Sequence, residues 1–305
     1  MTEGWISHGW LHQLAAAVRR YVWSARVGDF AILAAIPVLG FAHGIQRLTP
    51  VIVLQGAELA AASLLLLVHV FALNDWADYH DDGQVRPPGN PPHASRNSLL
   101  LVSAAALACF IGVLWSMWPP ALMPAMGVII ASAIYSLQWP IRGKEVLLLS
   151  SVLHAIAGAA SFLLGLTVAA GSSTRWSGVW VFIGLSMAAG HIHQEISDHR
   201  EDLASRTRTH STVFGPREAF VLGQLTFAAA FLALVVLPNG GGSGLFQLLT
   251  MLAWAANLTL AIACWRDGVT PESVERYRSH YRRLYVLIGL GLLLRTPALR
   301  HLAGL

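Results

Sequence analysis

Stretches of about twenty apolar residues recur along this chain, and they constrain its fold more than any other feature. One of them, AASLLLLVHVFAL at 61–73, holds no charge at all. At a rise of about 1.5 Å per residue, roughly 20 helical residues cross the hydrocarbon core of a bilayer. An open strand edge is not viable in lipid, so such stretches must be helices. The apolar runs predict spans near 27–46, 51–73, 98–117, 121–138, 146–170, 177–194, 218–237, 245–264 and 284–303. The fold class is therefore all-α, a polytopic membrane bundle of about nine transmembrane helices. Only 12% of residues are charged, against about 25% in soluble domains.

Residues 10–23, WLHQLAAAVRRYVW, place Trp10, Leu14, Val18 and Val22 near one helical face. They predict an interfacial amphipathic helix within an N-terminal segment 1–26. The run from Val27 is too long for a signal-peptide core and reads as a retained span. Cys109 and Cys264 each fall inside an apolar run, which argues against a disulfide framework or a zinc site. With an internal N-terminus, sixteen of the twenty Lys and Arg residues fall on one side of the membrane. The positive-inside rule then puts the long loops after even-numbered spans in the cytoplasm. Basic residues confined to loops between spans exclude a nucleic-acid surface. Arginine-rich, lysine-poor usage suggests a bacterial cytoplasmic membrane.

Two of those loops open on acidic motifs. NDWADYHDD occupies 74–82, and QEISDHRED occupies 194–202. Aligned, Asn74 meets Gln194, Asp75 meets Glu195, Asp78 meets Asp198, and Asp82 meets Asp202. The pairs that differ are one-methylene homologues. Both motifs follow even-numbered spans, so they share a membrane face. They divide one membrane domain, 27–305, into a half at about 27–144, a second at about 145–283, and a last helix at about 284–303. The acids at i, i+3 and i+7 of each copy predict one helical face. Three clustered carboxylates repel unless cations neutralise them. Mg²⁺ suits such oxygen donors, because it takes one or two carboxylates and completes its shell with water and substrate phosphates. A solvated acidic helix extension accounts for one motif far better than for two in register. Arg86 and Arg96 follow the first motif, Arg206 and Arg208 the second, and Arg142 and Lys144, the only lysine, lie between. A diphosphate leaving group needs such donors as negative charge builds on it.

The paired motifs resemble the signatures of the UbiA superfamily of intramembrane prenyltransferases. RTRTHSTVFG (206–215) is similar to the stretch that usually follows the second motif, and YSLQWPIRGKEV (135–146) to the segment after the fourth helix. The chain departs from that pattern at RPPGNPPHASRNS (86–98), which is longer and richer in proline. It departs again at Tyr135, which is followed four residues later by Trp139 where the family usually has lysine. The resemblance implies nine helices around a cavity capped by cytoplasmic loops. It implies Mg²⁺ ligation by Asn74, Asp75, Asp78 and Asp82 at one site, and by Asp198 and Asp202 with Glu195 at the other. Asp75, Asp78, Asp198 and Asp202 would be the catalytic acids. Diphosphate would be held by Arg142, Lys144 and Arg208, with Arg86 nearby.

The chemistry so implied is ionisation of an allylic prenyl diphosphate of the farnesyl or geranylgeranyl class, in a cavity that keeps water from the cation. Transfer to an aromatic or other lipophilic acceptor makes the chain a prenyltransferase. Capture by the substrate's own alkenes makes it a terpene cyclase, for which Trp76, Tyr79, Trp139 and Phe162 are candidate cation stabilisers. His69, Tyr135, His154 and His193 are candidate cavity residues, because polar groups within spans usually face a bundle interior. A cation transporter fits less well. Transporter sites lie near the bilayer midplane on interrupted helices, whereas both motifs here lie at helix ends.

Overall fold

The computed structural model describes residues 27–79, 95–138, 142–170, 177–237, 244–296 and 298. The expected amphipathic helix in 1–26 lies outside the described residues, as do Asp82, Arg86 and Trp139. The described residues form eleven α-helices and no β-strand. In chain order these are α1 (Val27–Gly44), α2 (Pro50–Ala77), α3 (Arg96–Met117), α4 (Leu122–Ser136), α5 (Leu147–Ala170), α6 (Ser177–Ser197), α7 (His199–Ala204), α8 (His210–Phe214), α9 (Pro216–Val236), α10 (Gly244–Arg266) and α11 (Pro271–Leu294). Six of the long helices, α2, α3, α4 with the 3₁₀ turn before it, α5, α9 and α10, are long and apolar enough to cross a membrane. Their outer faces present bare hydrophobes such as Met123 and Leu148, 82% and 75% exposed. Side chains of that kind need lipid around them. The protein is a polytopic helical membrane bundle.

Local chemistry sets the helix starts. Pro50 opens α2 behind Thr49, whose hydroxyl accepts from the Ile52 amide, and Ser95 caps α3 in the same way. The last helix corrects the expected span 284–303. It begins at Pro271, where Thr270 and Ser273 form a capping box, and ends at Leu294. Its first half is polar, so hydropathy alone does not find it.

α2 packs on α3, and α6 packs on α9. α5 runs between α1, α4 and α6, and α11 touches α10, α6 and α1. The α1–α5 crossing brings backbone against backbone. A Cβ at Gly165 would stand 1.7 Å from the Pro37 carbonyl oxygen, and one at Gly40 would stand 1.9 Å from that of Phe162. Only hydrogen fits at either position, as is common where membrane helices meet. This crossing buries Phe162 at 0% exposure against His43, far in sequence and contact from the acidic motifs.

Candidate active site

The two acidic motifs adopt the same local structure. Asp78 closes α2 with φ −84° and ψ −1°, and Asp198, its aligned partner, follows α6 with φ −89° and ψ 2°. Both lie in the sparsely allowed bridge region. In each, the backbone N–H still donates to the carbonyl four residues back, Asn74 at 2.9 Å and Gln194 at 3.0 Å. The side chains repeat the match: Asn74 Nδ2 donates to Asp78 Oδ2 at 3.0 Å, and Gln194 Nε2 donates to Asp198 Oδ2 at 2.6 Å. The regular helix is interrupted at the middle acid of each motif, with the bond to the carbonyl four residues back retained.

Asp78 is bonded to two cations. Its Oδ1 accepts from both Arg142 Nη2 and Lys144 Nζ. Arg142 is itself anchored, since its Nε donates to the Ser136 carbonyl at 3.1 Å. Gly143 lies between the two cations because a Cβ there would come within 2.5 Å of the Ile134 carbonyl oxygen. Folding that tight against α4 lets neighbouring Arg142 and Lys144 reach one carboxylate. Lys144 also lies close enough to Asp202 to favour its ionised form, so one lysine faces both motifs. Asp202, on α7, has its pKa pushed up to about 7 by burial and then by the neighbouring Asp198 carboxylate. Asp75 is buried on α2 at 6% exposure, and Arg208 is exposed.

Glu195 is engaged by α8 and by its own helix. Its Oε2 accepts from the His210 amide and lies 2.8 Å from His210 Nδ1, and its own carbonyl accepts from Ser211 Oγ. Its Oε1 lies 3.0 Å from His191 Nε2. The carboxylate that the alignment pairs with Asp75 thus fastens α8 onto α6. Among the described residues, no three His, Cys, Asp or Glu side chains converge on one ion-sized point.

The candidate cavity residues divide. Tyr135 lies within electrostatic reach of Asp78, Asp202 and Glu195, and its ring meets His154 edge-on at 4.9 Å. His154 stacks on His191 at 3.7 Å, so α4, α5 and α6 share one polar cluster beside the acids. His69 instead joins α2 to α3 through Ser103 Oγ at 2.8 Å. His193 is wholly buried among Phe220, Phe227, Tyr277 and Tyr281, with Gln224 Nε2 3.0 Å from its Nε2. It packs the interior and does not line the site.

His191, an intramembrane histidine four residues before Glu195, completes the Tyr135 cluster. Sequence reasoning passed over one residue. Arg278, 5% exposed on α11, contacts Gln194, Ser197 and Glu275. Val274, Tyr277, Arg278 and Tyr281 recur at helical spacing on one buried face, and that periodicity would have placed it inward.

A bundle of membrane helices with twinned acidic helix ends, bridged by lysine and arginine, is a narrow class. The family model described as the UbiA prenyltransferase family matches residues 30–281, and the chain belongs to that family. Solved structures share the fold. A UbiA homolog from Archaeoglobus fulgidus bound to GPP and Mg²⁺ has a TM-score of 0.66 at 17% identity, covering 90% of this chain and 99% of that one. The apo UbiA homolog from Aeropyrum pernix K1 gives 0.67 at 18%, covering 88% and 98%. A structure of digeranylgeranylglyceryl phosphate synthase gives 0.67 at 12%, covering 92% and 99%. No curated protein matches the chain in sequence.

Proposed function

We propose that the chain is a Mg²⁺-dependent intramembrane enzyme that ionises an allylic prenyl diphosphate and transfers the prenyl group to an aromatic or other lipophilic acceptor. The observation that carries this reading is the twinning of Asp78 and Asp198, each held by an amide four residues back, with Lys144 facing both motifs. The relative that holds GPP and Mg²⁺ on the same fold supports it. We further infer that the chain is two repeated halves, meeting near 144, and that the acidic ends face the cytoplasm.

The donor set fits Mg²⁺. Its groups are hard oxygens, and Asp202 carries a raised pKa of the sort a bound cation relieves. Magnesium also needs no all-protein cage, only one or two carboxylates beside water and phosphate oxygens. Asn74, Asp75, Asp78 and Asp82 would hold it at the first motif, and Asp198 and Asp202 at the second. When bound, the metal supplies positive charge to the departing diphosphate. Arg142 and Lys144, released from Asp78, then donate to diphosphate oxygens as charge develops, with Arg86 and Arg208 as further donors. The apolar interior holds the prenyl tail and excludes water from the cation. Glu195 positions α8 over the site.

Cyclisation is the second reading, favoured by Tyr135, whose ring lies beside the acids where a carbocation would form. Product analysis separates the two. With farnesyl or geranylgeranyl diphosphate alone, the transfer reading expects no terpene product, and turnover begins when an aromatic or membrane extract is added. Hydrocarbon or terpene alcohol formed without acceptor overturns transfer.

Asp202 makes metal binding pH-dependent. An aspartate in the unfolded chain titrates near 3.8, and Asp202 titrates near 7 in the fold. Between those values the folded state binds more protons. Its contribution to stability is therefore full below about pH 4 and is lost as pH rises through 7. Mg²⁺ must displace that proton at low pH and finds it gone at high pH. Thermal shifts in detergent are expected to show a larger Mg²⁺-induced rise in Tm at pH 8 than at pH 5.5. In Asp202→Asn that difference shrinks. An equal Mg²⁺ effect at both pH values contradicts the assignment.

A further inference from the structure

Each motif amide is a two-ended switch. Its N–H₂ must face the aspartate for that acid to be held, so a donor at its oxygen fixes the orientation. In the first motif Ser136 Oγ donates to Asn74 Oδ1 at 3.4 Å. In the second, Arg278 Nη2 donates to Gln194 Oε1. A guanidinium can only donate, so it fixes the oxygen toward itself and the N–H₂ toward Asp198.

From this geometry we infer that Arg278, on the last helix, is a positioning residue for the second acidic motif: it orients Gln194, and through Gln194 it sets the Asp198 carboxylate for metal. The inference rests on the proposed metal–diphosphate reading and adds α11 to the machinery. Three observations carry it. Burying a guanidinium costs several kcal/mol unless it is well bonded, yet Arg278 is 5% exposed. Its Nη1 is spent on Glu275 at 2.6 Å and Ser197 at 3.3 Å, which neutralises its charge and fixes its plane. Its Nη2 then donates to Gln194. Arg278 lies within α11, after the eighth long helix, and Arg142 in the connection after the fourth. Arg142 reaches Asp78 directly, whereas Arg278 reaches the amide that holds Asp198.

The test is Mg²⁺ dependence in the full-length protein in detergent. Arg278→Met is expected to raise the Mg²⁺ concentration at half-maximal diphosphate release from farnesyl or geranylgeranyl diphosphate by about tenfold or more, the usual effect of losing an outer-shell partner. The same shift is expected in a readout without substrate, the Mg²⁺ midpoint of thermal stabilisation. Gln194→Met should reproduce it, and the double variant should be no worse than Gln194→Met alone. Glu275→Ala, which loosens the guanidinium plane but leaves the Gln194 contact in reach, should raise the midpoint by less than Arg278→Met does. If Arg278→Met does not fold, Arg278→Lys takes its place. It keeps the charge without the fork and should still raise both midpoints.

An unchanged Mg²⁺ midpoint with uniformly lower turnover, or additive effects in the double variant, overturns the inference. Its failure is separable from that of the underlying reading. Wild-type protein that releases no diphosphate at any Mg²⁺ concentration sinks the reading itself. A saturable wild-type response that Asp198→Asn abolishes leaves the reading standing and judges Arg278 alone.

Discussion

Asp78→Ala and Asp198→Ala are each expected to cut Mg²⁺-dependent diphosphate release by about a thousandfold or more, in line with the loss of a charge-stabilising group at a transition state. The two should differ in stability. Removing Asp78 takes away the carboxylate to which Arg142 and Lys144, both largely buried, are bonded, and breaking a buried ion pair is costly. Asp78→Ala should therefore also lower Tm, and Asp78→Asn should recover part of that stability without recovering turnover. Steady-state diphosphate release alongside thermal unfolding checks both statements. Full activity in either alanine variant removes the motif from the chemistry.

Gly165→Val is expected to have the largest effect on folding. A Cβ there would lie 1.7 Å from the Pro37 carbonyl oxygen, and that oxygen belongs to a helix backbone that cannot rotate aside. α1 and α5 must separate, and overpacking of this kind costs on the order of 3 kcal/mol or more. For a chain of this size that corresponds to a Tm drop of roughly 5 °C. Yield of monodisperse protein should fall with it. Gly112→Ala, where a Cβ meets nothing within 4 Å, is the matched control and should leave Tm within about 2 °C. Equal tolerance of both would show that the α1–α5 crossing is not close-packed.

How much of this was legible in the sequence varies by element. The apolar runs located α2, α3, α5, α9 and α10 because lipid leaves a helix no choice of polarity. α11 was read as starting thirteen residues late, since its first half is polar and announces itself only through the Thr270 cap and a buried stripe from Val274 to Tyr281. The register of NDWADYHDD on QEISDHRED anticipated the matching backbone of Asp78 and Asp198. It could not anticipate that Glu195 would serve α8, because the His210 that claims it lies fifteen residues away and is found only by folding. Polarity within a span marks an inward face, and at His193 that face is an aromatic cluster joined to Gln224 and Tyr277. Lys144 was found by its rarity, and Gly143 beside it explains how two adjacent cations reach one acid.

The most direct test is diphosphate release by the purified protein from prenyl diphosphates of increasing chain length, titrated with Mg²⁺ and repeated with and without a membrane extract as acceptor source. The account predicts saturable, Mg²⁺-dependent release that chelation abolishes and added Mg²⁺ restores, with Asp78→Ala and Asp198→Ala both silent. Release that proceeds equally well in excess chelator, or no release from any prenyl diphosphate under any of these conditions, contradicts it.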